Sequence, residues 1–223
     1  MDALYNAAKP RVVAIGGPTA TGKTALSVAL AKRFGGEIIS ADSMQIYQGL
    51  DVGTAKVTPE EMQGVPHHLV GFLAPEQAFS VADFTTLAGK TITQLTAQGK
   101  LPLVVGGTGL YITSLLNGIG FTPELQARLQ AEGSQALYAE LAAVDPGYAA
   151  KVHPNNTPRV IRALELYRAT GRKMSAEREA ARPAEKPYCS LCLCLTCRDR
   201  TLLYQRIDTR CDRMMQSGIL EEA

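Results

Sequence analysis

The sequence predicts an α/β fold: a P-loop NTPase-like parallel sheet with flanking helices and a helical insert. The segment GPTATGKT at 17–24 matches the phosphate-loop pattern G-x-x-x-x-G-K-[ST] at every specified position. It follows an apolar run at 12–15 and precedes a helix-like stretch at 25–34, the strand–loop–helix context that this motif requires. Short apolar runs at 37–41 and 102–105, each bounded by turn residues, are typical of buried parallel strands.

Two parts of the chain differ in the secondary structure that their sequence predicts. Strands are predicted at 12–16, 37–41, 102–105 and 189–196, and a helix at 83–98, which Asp83 is expected to open. From about 120 to 185 there are helix signals without strand signals. Thr122-Pro123 and Asn156-Thr157-Pro158 are expected to open two helices, and Gly171 to close the second.

We therefore expect a phosphate-loop α/β core formed by 1–119 and 188–223, with a helical insert at 120–187. The segment 174–187, which contains two prolines, is expected to be a loose connection back to the core.

The phosphate loop predicts an anion site. Its glycines let backbone N–H groups surround a phosphate, the following helix N-terminus adds partial positive charge, and Lys23 adds a full charge. The Thr24 hydroxyl is a candidate ligand for Mg²⁺. The candidate diphosphate- or nucleotide-binding residues are Gly17, Pro18, Thr19, Ala20, Thr21, Gly22, Lys23 and Thr24.

Several further motifs follow the phosphate loop in a specific order. Asp42 ends the second apolar run and begins DSMQIYQGLDVGTAK, a position where doubly wound sheets place their ligands. The segments GGTGLY (106–111), RVIRALELYRATGR (159–172) and LLYQRIDTRCDRMMQSGILEE (202–222) come later. This ordered set resembles the tRNA dimethylallyltransferases and covers most of the chain.

The resemblance implies transfer of a dimethylallyl group from dimethylallyl diphosphate to the exocyclic amine of the adenosine adjacent to the anticodon, with Mg²⁺ as cofactor. Phosphate loops also bind ATP, but the resemblance implies that the prenyl diphosphate occupies this one. Family members extend well beyond Ala223, so we expect the C-terminal part of the family to be missing here.

The resemblance also implies residue roles. Asp42 would act as general base for the adenine amine, and Thr24 and Arg210 would act on the diphosphate. For Asp42 the alternatives are a water-mediated magnesium ligand or a loop cap, and for Arg210 a surface pair with Arg206. The residues expected to contact tRNA are Asp42, Ser43, Met44, Gln45, Thr108, Pro158, Arg159, Val160, Ile161 and Arg162.

Charge and composition favour a polyanionic partner and exclude a membrane span. The net charge is only +2, but residues 1–150 carry 9 Lys and Arg against 12 Asp and Glu, whereas 151–213 carry 14 against 7. This asymmetry indicates a surface for the tRNA anticodon stem-loop, a solvated basic helix being the alternative. No window reaches the ~18 apolar residues of a membrane span, and we expect a cytoplasmic monomer.

The cysteine-rich segment CSLCLCLTC (189–197) has two C-x-x-C pairs separated by one residue, whereas zinc modules separate such pairs by a long loop. Leucines and cysteines alternate in it, so we interpret it as a strand, with a metal site as the less favoured alternative. His67, His68 and His153 have no metal-site spacing, and we assign them no role.

Three other functions fit part of the pattern. A small-molecule kinase would share the phosphate loop, but the third strand ends in Gly106-Gly107-Thr108 without the usual magnesium-binding carboxylate. An adenylate isopentenyltransferase would share the Asp42 region but has little use for a basic helical insert. A non-catalytic nucleotide- or RNA-binding module would need Lys23 and Asp42 for binding only.

Overall fold

Five parallel strands form one sheet, in the order β3-β2-β4-β1-β5. The computed structural model describes residues 9–118, 123–176 and 186–222. The predicted α/β fold with flanking helices is confirmed. The strands are β1 (Arg11–Gly16), β2 (Gly36–Ser40), β3 (His67–His68), β4 (Leu101–Gly106) and β5 (Cys189–Cys194).

Helices follow most strands, as parallel pairing requires. In the described residues they are α1 (Lys23–Phe34), α2 (Pro59–Met62), α3 (Val81–Ala97), α4 (Gly109–Leu116), α5 (Pro123–Val144), α6 (Pro146–Ala149), α7 (Thr157–Thr170), α8 (Arg200–Gln216) and α9 (Ile219–Glu222). None of these helices is both long enough and apolar enough to cross a bilayer.

Both faces of the sheet are covered, which explains the continuous apolar runs in the strands. Alternate residues of β4 point to opposite sides: Val104 packs with α3 and α4, whereas Leu103 and Val105 pack with α1. On the first side the rings of Phe84 and Tyr111 stack with centroids 4.4 Å apart. The central strands are therefore fixed from both sides by apolar packing.

The structure differs from the sequence-based expectation at several boundaries. The strand β3 was not expected, because two residues are too few to show a period. The helix predicted to open at Asp83 begins at Val81, because the Ser80 side chain caps it and Asp83 completes a capping box.

The strand interpretation of the cysteine-rich segment is confirmed for Cys189–Cys194, and none of the five cysteines, all of which lie in the described residues, forms a disulfide. This strand forms an edge of the sheet and pairs with β1, and Leu191 is 57% exposed.

Contacts divide the chain into two compact units. The first is Met1–Leu116 with Pro187–Ala223, and the second is Asn117–Lys186. In the second unit, α5, α6 and α7 share a core that includes Leu137, Leu141 and Leu164. Its second expected helix opens at Thr157 and is closed by Gly171 in a left-handed conformation, as predicted. Thr122, the expected cap of the first helix, and most of the expected connection at 174–187 lie outside the described residues.

A buried carboxylate ties three strands together at the end of the sheet that lies away from the phosphate loop. Glu37 on β2 is 7% exposed; it forms an ion pair with Lys100, just before β4, and its Oε2 lies 2.6 Å from Nε2 of His68 on β3. Burial acts to raise the pKa of Glu37, but the hydrogen bonds from Lys100 and His68 outweigh it and leave the pKa lowered.

We expect Glu37→Gln to lower the free energy of unfolding at pH 7 by about 2 kcal/mol, because a charge-assisted pair is lost in a buried setting. A lowered carboxyl pKa stabilises the fold at pH values above the unfolded pKa, and this contribution disappears as the pH falls through the folded pKa. Urea denaturation should therefore show the difference from the unsubstituted protein shrinking on acidification. Glu76→Gln, at an exposed carboxylate, is the control; an equal loss there would contradict the interpretation.

Candidate active site

The phosphate loop connects β1 to α1 in a conformation that its glycines make possible. Gly17 has φ of 147°, and a Cβ there would lie 2.5 Å from the carbonyl oxygen of Leu195. Gly22, with φ of 87°, is the left-handed residue immediately before α1. The Thr21 hydroxyl donates to the Pro18 carbonyl over 2.8 Å. The loop is therefore a compact turn that leads into the N-terminus of a twelve-residue helix.

Lys23 lies across the loop that precedes it. Its Nζ donates to the carbonyl oxygens of Gly17 (2.8 Å) and Pro18 (2.6 Å). Burial lowers the pKa of Lys23; the carboxylate of Asp42 opposes this shift, and the nearby guanidinium of Arg210 adds to it. The charged side chains of Lys23, Asp42 and Arg210, which come from three separate segments, therefore lie close to one another at the phosphate loop.

Asp42 stands just beyond the carboxyl end of β2. Its Oδ1 accepts from the backbone N–H of Met44 (3.0 Å) and of Gln45 (3.4 Å), which fixes the carboxylate in a local turn. Its Oδ2 accepts no hydrogen bond from any residue that the structure describes, and it faces Gly107, the residue after β4. One oxygen therefore orients the side chain and the other faces the open site.

Thr108 joins the ends of β2 and β4. Its Oγ1 accepts from the backbone N–H of Ser43 over 3.1 Å and lies 3.4 Å from the Ser43 hydroxyl. Its own N–H donates to the Ala41 carbonyl over 3.2 Å. The DSMQ and GGTGLY segments, separated by about sixty residues in the sequence, thus form one surface.

An open cleft of about 430 Å³ lies where these segments meet. Oxygen-bearing side chains of Thr24, Ser40 and Asp42 line it beside Lys23. We name it the Lys23 cleft. Hydroxyl and carboxylate oxygens beside a phosphate loop are suitable ligands for Mg²⁺, which prefers hard oxygen donors.

His67 also lines the Lys23 cleft, although its spacing in the sequence predicts no role for it. Its Nδ1 lies 2.8 Å from the carbonyl oxygen of Val65, which fixes the ring with Nδ1 as the donor and leaves Nε2 as an acceptor. Burial lowers the pKa of His67, and the neighbouring His68 adds to this effect. The lowered pKa favours the neutral form of the imidazole.

Arg210 reaches the phosphate loop from the far end of the sequence. Its Nη1 donates to the Thr19 hydroxyl over 2.6 Å, and its Nη2 lies 3.5 Å from the Thr54 carbonyl oxygen. Gln45 meets the same turn, because its Nε2 donates to the carbonyls of Thr54 (3.2 Å) and Ala55 (3.0 Å). Gln45 is expected to contact tRNA, and its amide could donate to the RNA only after leaving these carbonyls.

A second, more open cleft of about 820 Å³ adjoins the first, and the two share Asp42. The exposed side chain of Met44 lines it, together with Leu50, Gly53, Thr54, Ile219 and Glu222. We name it the Met44 cleft. Asp42 therefore stands between a cleft that is lined by Lys23 and Thr24 of the phosphate loop and a more apolar one.

The residues expected to contact tRNA in the second unit lie in the first two turns of α7. Pro158 is in its first turn, Arg159 is exposed, and Ile161 and Arg162 are half-buried. Val160 is 1% exposed and belongs to the core, so it could contact a ligand only through its backbone. Burial raises the pKa of Glu165, on the same helix, to about 7, against the opposing charge of Arg162.

Comparison with known families agrees with this geometry. The family model described as IPP transferase matches residues 45–223, which is most of the chain. The chain belongs to the IPP transferase family. A second model, described as isopentenyl transferase, matches residues 10–71, the part that contains the phosphate loop and Asp42.

Curated proteins similar to this chain include several tRNA dimethylallyltransferases. A protein of Bacillus subtilis named tRNA dimethylallyltransferase is 50% identical over 226 residues, covering 97% of this chain and 71% of the relative. A protein of Symbiobacterium thermophilum with the same name is 50% identical, covering 96% of this chain and 69% of the relative.

Solved structures of transferases with related names are also similar to this chain. A tRNA delta(2)-isopentenylpyrophosphate transferase from Staphylococcus epidermidis is 43% identical with a TM-score of 0.66, covering 96% of this chain and 72% of that one. A eukaryotic dimethylallyltransferase described as acting on tRNA is 34% identical with a TM-score of 0.76, covering 95% of this chain and 54% of that one.

We predict that Gly106→Ala lowers the free energy of unfolding by roughly 3 kcal/mol, because its Cβ would lie 2.0 Å from the Ala41 carbonyl oxygen and backbone would have to move. The adjacent Gly107→Ala is the matched control, since its Cβ would lie 3.9 Å from Oδ2 of Asp42, in ordinary contact. Thermal denaturation of both variants distinguishes them. Equal stability of the two would show that β2 and β4 can separate at little cost.

Proposed function

We propose that this IPP transferase moves a dimethylallyl group from dimethylallyl diphosphate to the exocyclic amine of the adenosine adjacent to the anticodon of a tRNA, releasing diphosphate. The observation that carries the proposal is the position of Asp42. Its oriented carboxylate lies between a cleft that contains the phosphate loop and a more apolar neighbouring cleft. Family membership and the common name of the relatives agree with it.

The reaction forms a carbon–nitrogen bond as the allylic carbon–oxygen bond breaks. The electron pair of the broken bond leaves with the diphosphate, so negative charge develops on oxygen beside the loop. Lys23 and Arg210 would hold this charge, together with the backbone N–H groups of the loop and the N-terminus of α1.

The exocyclic amine of adenine is a weak base, so its proton must leave as the new bond forms. Oδ2 of Asp42 is the oxygen suited to accept this proton, because Oδ1 is held by the backbone N–H groups of Met44 and Gln45. Thr108 holds the Ser43 backbone beside it, which supports its orientation.

The Lys23 cleft would also hold Mg²⁺ through the hydroxyl of Thr24, which lines it. When bound, the ion would neutralise charge on the diphosphate.

We infer further that the enzyme is a cytoplasmic monomer. We also infer that the tRNA anticodon stem-loop contacts the basic residues of α7.

A free nucleotide is the alternative acceptor, because the isopentenyl transferase model matches the phosphate-loop half of the first unit. The decisive experiment supplies labelled dimethylallyl diphosphate and Mg²⁺ with an anticodon stem-loop RNA, AMP or ATP in separate reactions. Label in the RNA alone supports the proposal. Label in AMP or ATP indicates a nucleotide prenyltransferase. If no label reaches RNA or nucleotide, and ATP is instead consumed with a small-molecule acceptor, the protein is a kinase.

In the same assay Asp42→Asn should lower kcat by roughly 100- to 10,000-fold while RNA affinity stays close to that of the unsubstituted protein. Asparagine keeps the size of the side chain and an oxygen for the Met44 N–H, so only the proton acceptor is removed. Filter binding of the RNA measures the second quantity. Parallel losses in affinity and rate would show that Asp42 binds the RNA rather than removing the proton.

Arg159→Ala should weaken RNA binding and reduce the slope of log affinity against log salt by about one, because one phosphate contact would be lost. Arg33→Ala is the control, since this exposed arginine lies in the last turn of α1, at the helix end away from the phosphate loop. An unchanged slope for Arg159→Ala would remove this residue from the RNA interface.

A further inference from the structure

The carboxylate of Glu222 is held by three consecutive backbone N–H groups. Its Oε2 accepts from Asp51 (2.7 Å) and Val52 (2.6 Å), and its Oε1 accepts from Gly53 (2.8 Å). These bonds lower the pKa of Glu222, the bond from Val52 contributing most. Consecutive N–H groups that converge on one anion form a backbone nest, which binds negative charge specifically. The last turn of the described chain is therefore fastened to the loop after β2.

The turn that Glu222 holds is also the turn that meets Gln45 and Arg210. Its Thr54 carbonyl lies 3.2 Å from Nε2 of Gln45 and 3.5 Å from Nη2 of Arg210. The same turn is fixed from inside by the Thr54 hydroxyl, which donates to the Leu50 carbonyl over 2.6 Å. A displacement of this turn would therefore reach two side chains of the candidate active site.

The space between Glu222 and the turn allows little adjustment. A Cβ on Gly53 would lie 3.3 Å from Oε1 of Glu222 and 3.7 Å from Cδ1 of Ile219. The backbone N–H of Glu222 donates to the Gly218 carbonyl, so the carboxylate is attached to the short helix α9 directly after α8. Arg210 lies on α8, so Glu222 and Arg210 are two attachments of one helical segment to the same site.

We propose that Glu222 is a positioning residue for the prenyl-transfer reaction: it clamps the turn at 51–53 and thereby fixes Arg210 against the phosphate loop and Gln45 beside Asp42. The proposal rests on the proposed function for its kinetic consequences. The clamp itself, three hydrogen bonds to one carboxylate, stands independently of the substrate. Glu222 lines the Met44 cleft but makes no hydrogen bond to the phosphate loop or to Asp42 within the described residues, so its three hydrogen bonds act on these groups through the turn.

The test compares Glu222→Gln with Glu221→Gln in the 223-residue chain. Glutamine keeps the shape of the side chain, but its amide nitrogen cannot accept, so at least one of the three N–H groups loses its partner. We expect kcat/KM for dimethylallyl diphosphate to fall about tenfold, within the ~100-fold that a displacement of 1 Å can cost. Part of this loss should be a higher KM for the donor, and Glu221→Gln should match the unsubstituted protein.

The KM of the donor separates positioning from a purely structural role. A variant that is only partly folded loses active enzyme, which lowers the apparent kcat and leaves KM unchanged. A displaced Arg210 weakens the hold on diphosphate and raises KM. Glu222→Gln should also have a smaller effect in an Arg210→Ala background than in the unsubstituted protein, because one of the two residues through which it acts is already absent. Full additivity of the two losses would overturn the proposal.

A second measurement does not depend on catalysis. Titration calorimetry with inorganic diphosphate should show weaker binding to Glu222→Gln than to Glu221→Gln. Hydrogen exchange at the amides of 51–53 should be faster in Glu222→Gln. If the unsubstituted chain transfers no prenyl group while these differences appear, the proposed function fails and the clamp stands. If transfer is normal in both variants and exchange is unchanged, the clamp fails and the proposed function stands.

Discussion

The close approach of β2 and β4 at their carboxyl ends is the constraint on which the site depends. Gly106 lies so near the backbone of Ala41 that a methyl group would not fit between them. The hydrogen bonds from the backbone N–H groups of Ala41 and Thr108 continue the pairing just beyond the strands. Because Asp42 follows Ala41 directly, its carboxylate is set by a rigid backbone position rather than by a free loop. The oriented Oδ1 and the open Oδ2 result from this arrangement.

The parts that complete the site come from distant positions in the sequence. Thr19 and Arg210 are separated by 191 residues and meet at 2.6 Å. The long segment between β2 and α2 is cross-linked by its own polar groups: Lys56 donates to the Tyr47 carbonyl over 2.6 Å and forms an ion pair with Asp51. A loop held in this way can transmit the position of one attachment to another, since its internal hydrogen bonds must move together.

The sequence was sufficient to place the phosphate loop and Asp42 beyond the carboxyl ends of two strands. The loop needs glycines at fixed spacing, and Asp42 follows a recognisable buried strand, so the positions of both in the fold could be predicted. The pocket position of His67 could not be predicted, because it depends on a two-residue strand at the sheet edge that has no detectable period. Adjacent residues on a strand diverge, and the two histidines do so here: His68 pairs with Glu37, whereas His67 faces the Lys23 cleft.

The clamp at Glu222 could not be predicted from the sequence for a different reason. It joins a side chain to backbone N–H groups about 170 residues away, and backbone donors are present at almost every residue whatever the composition.

The clamp matters because of how α8 is held in place. This helix has seventeen residues, all within the described chain, and none of them is buried. Apolar packing therefore contributes less to its position than it does for α1 or α3, and polar contacts must supply more of the orientation. Hydrogen bonds to charged groups depend steeply on distance and angle. They therefore restrict the position of a guanidinium more than non-directional apolar contacts would. A leaving group whose charge develops only as its bond breaks needs a cation fixed in advance. In the proposed reaction Arg210 on α8 would be that cation, and the attachment of Glu222 on α9 would help to fix it.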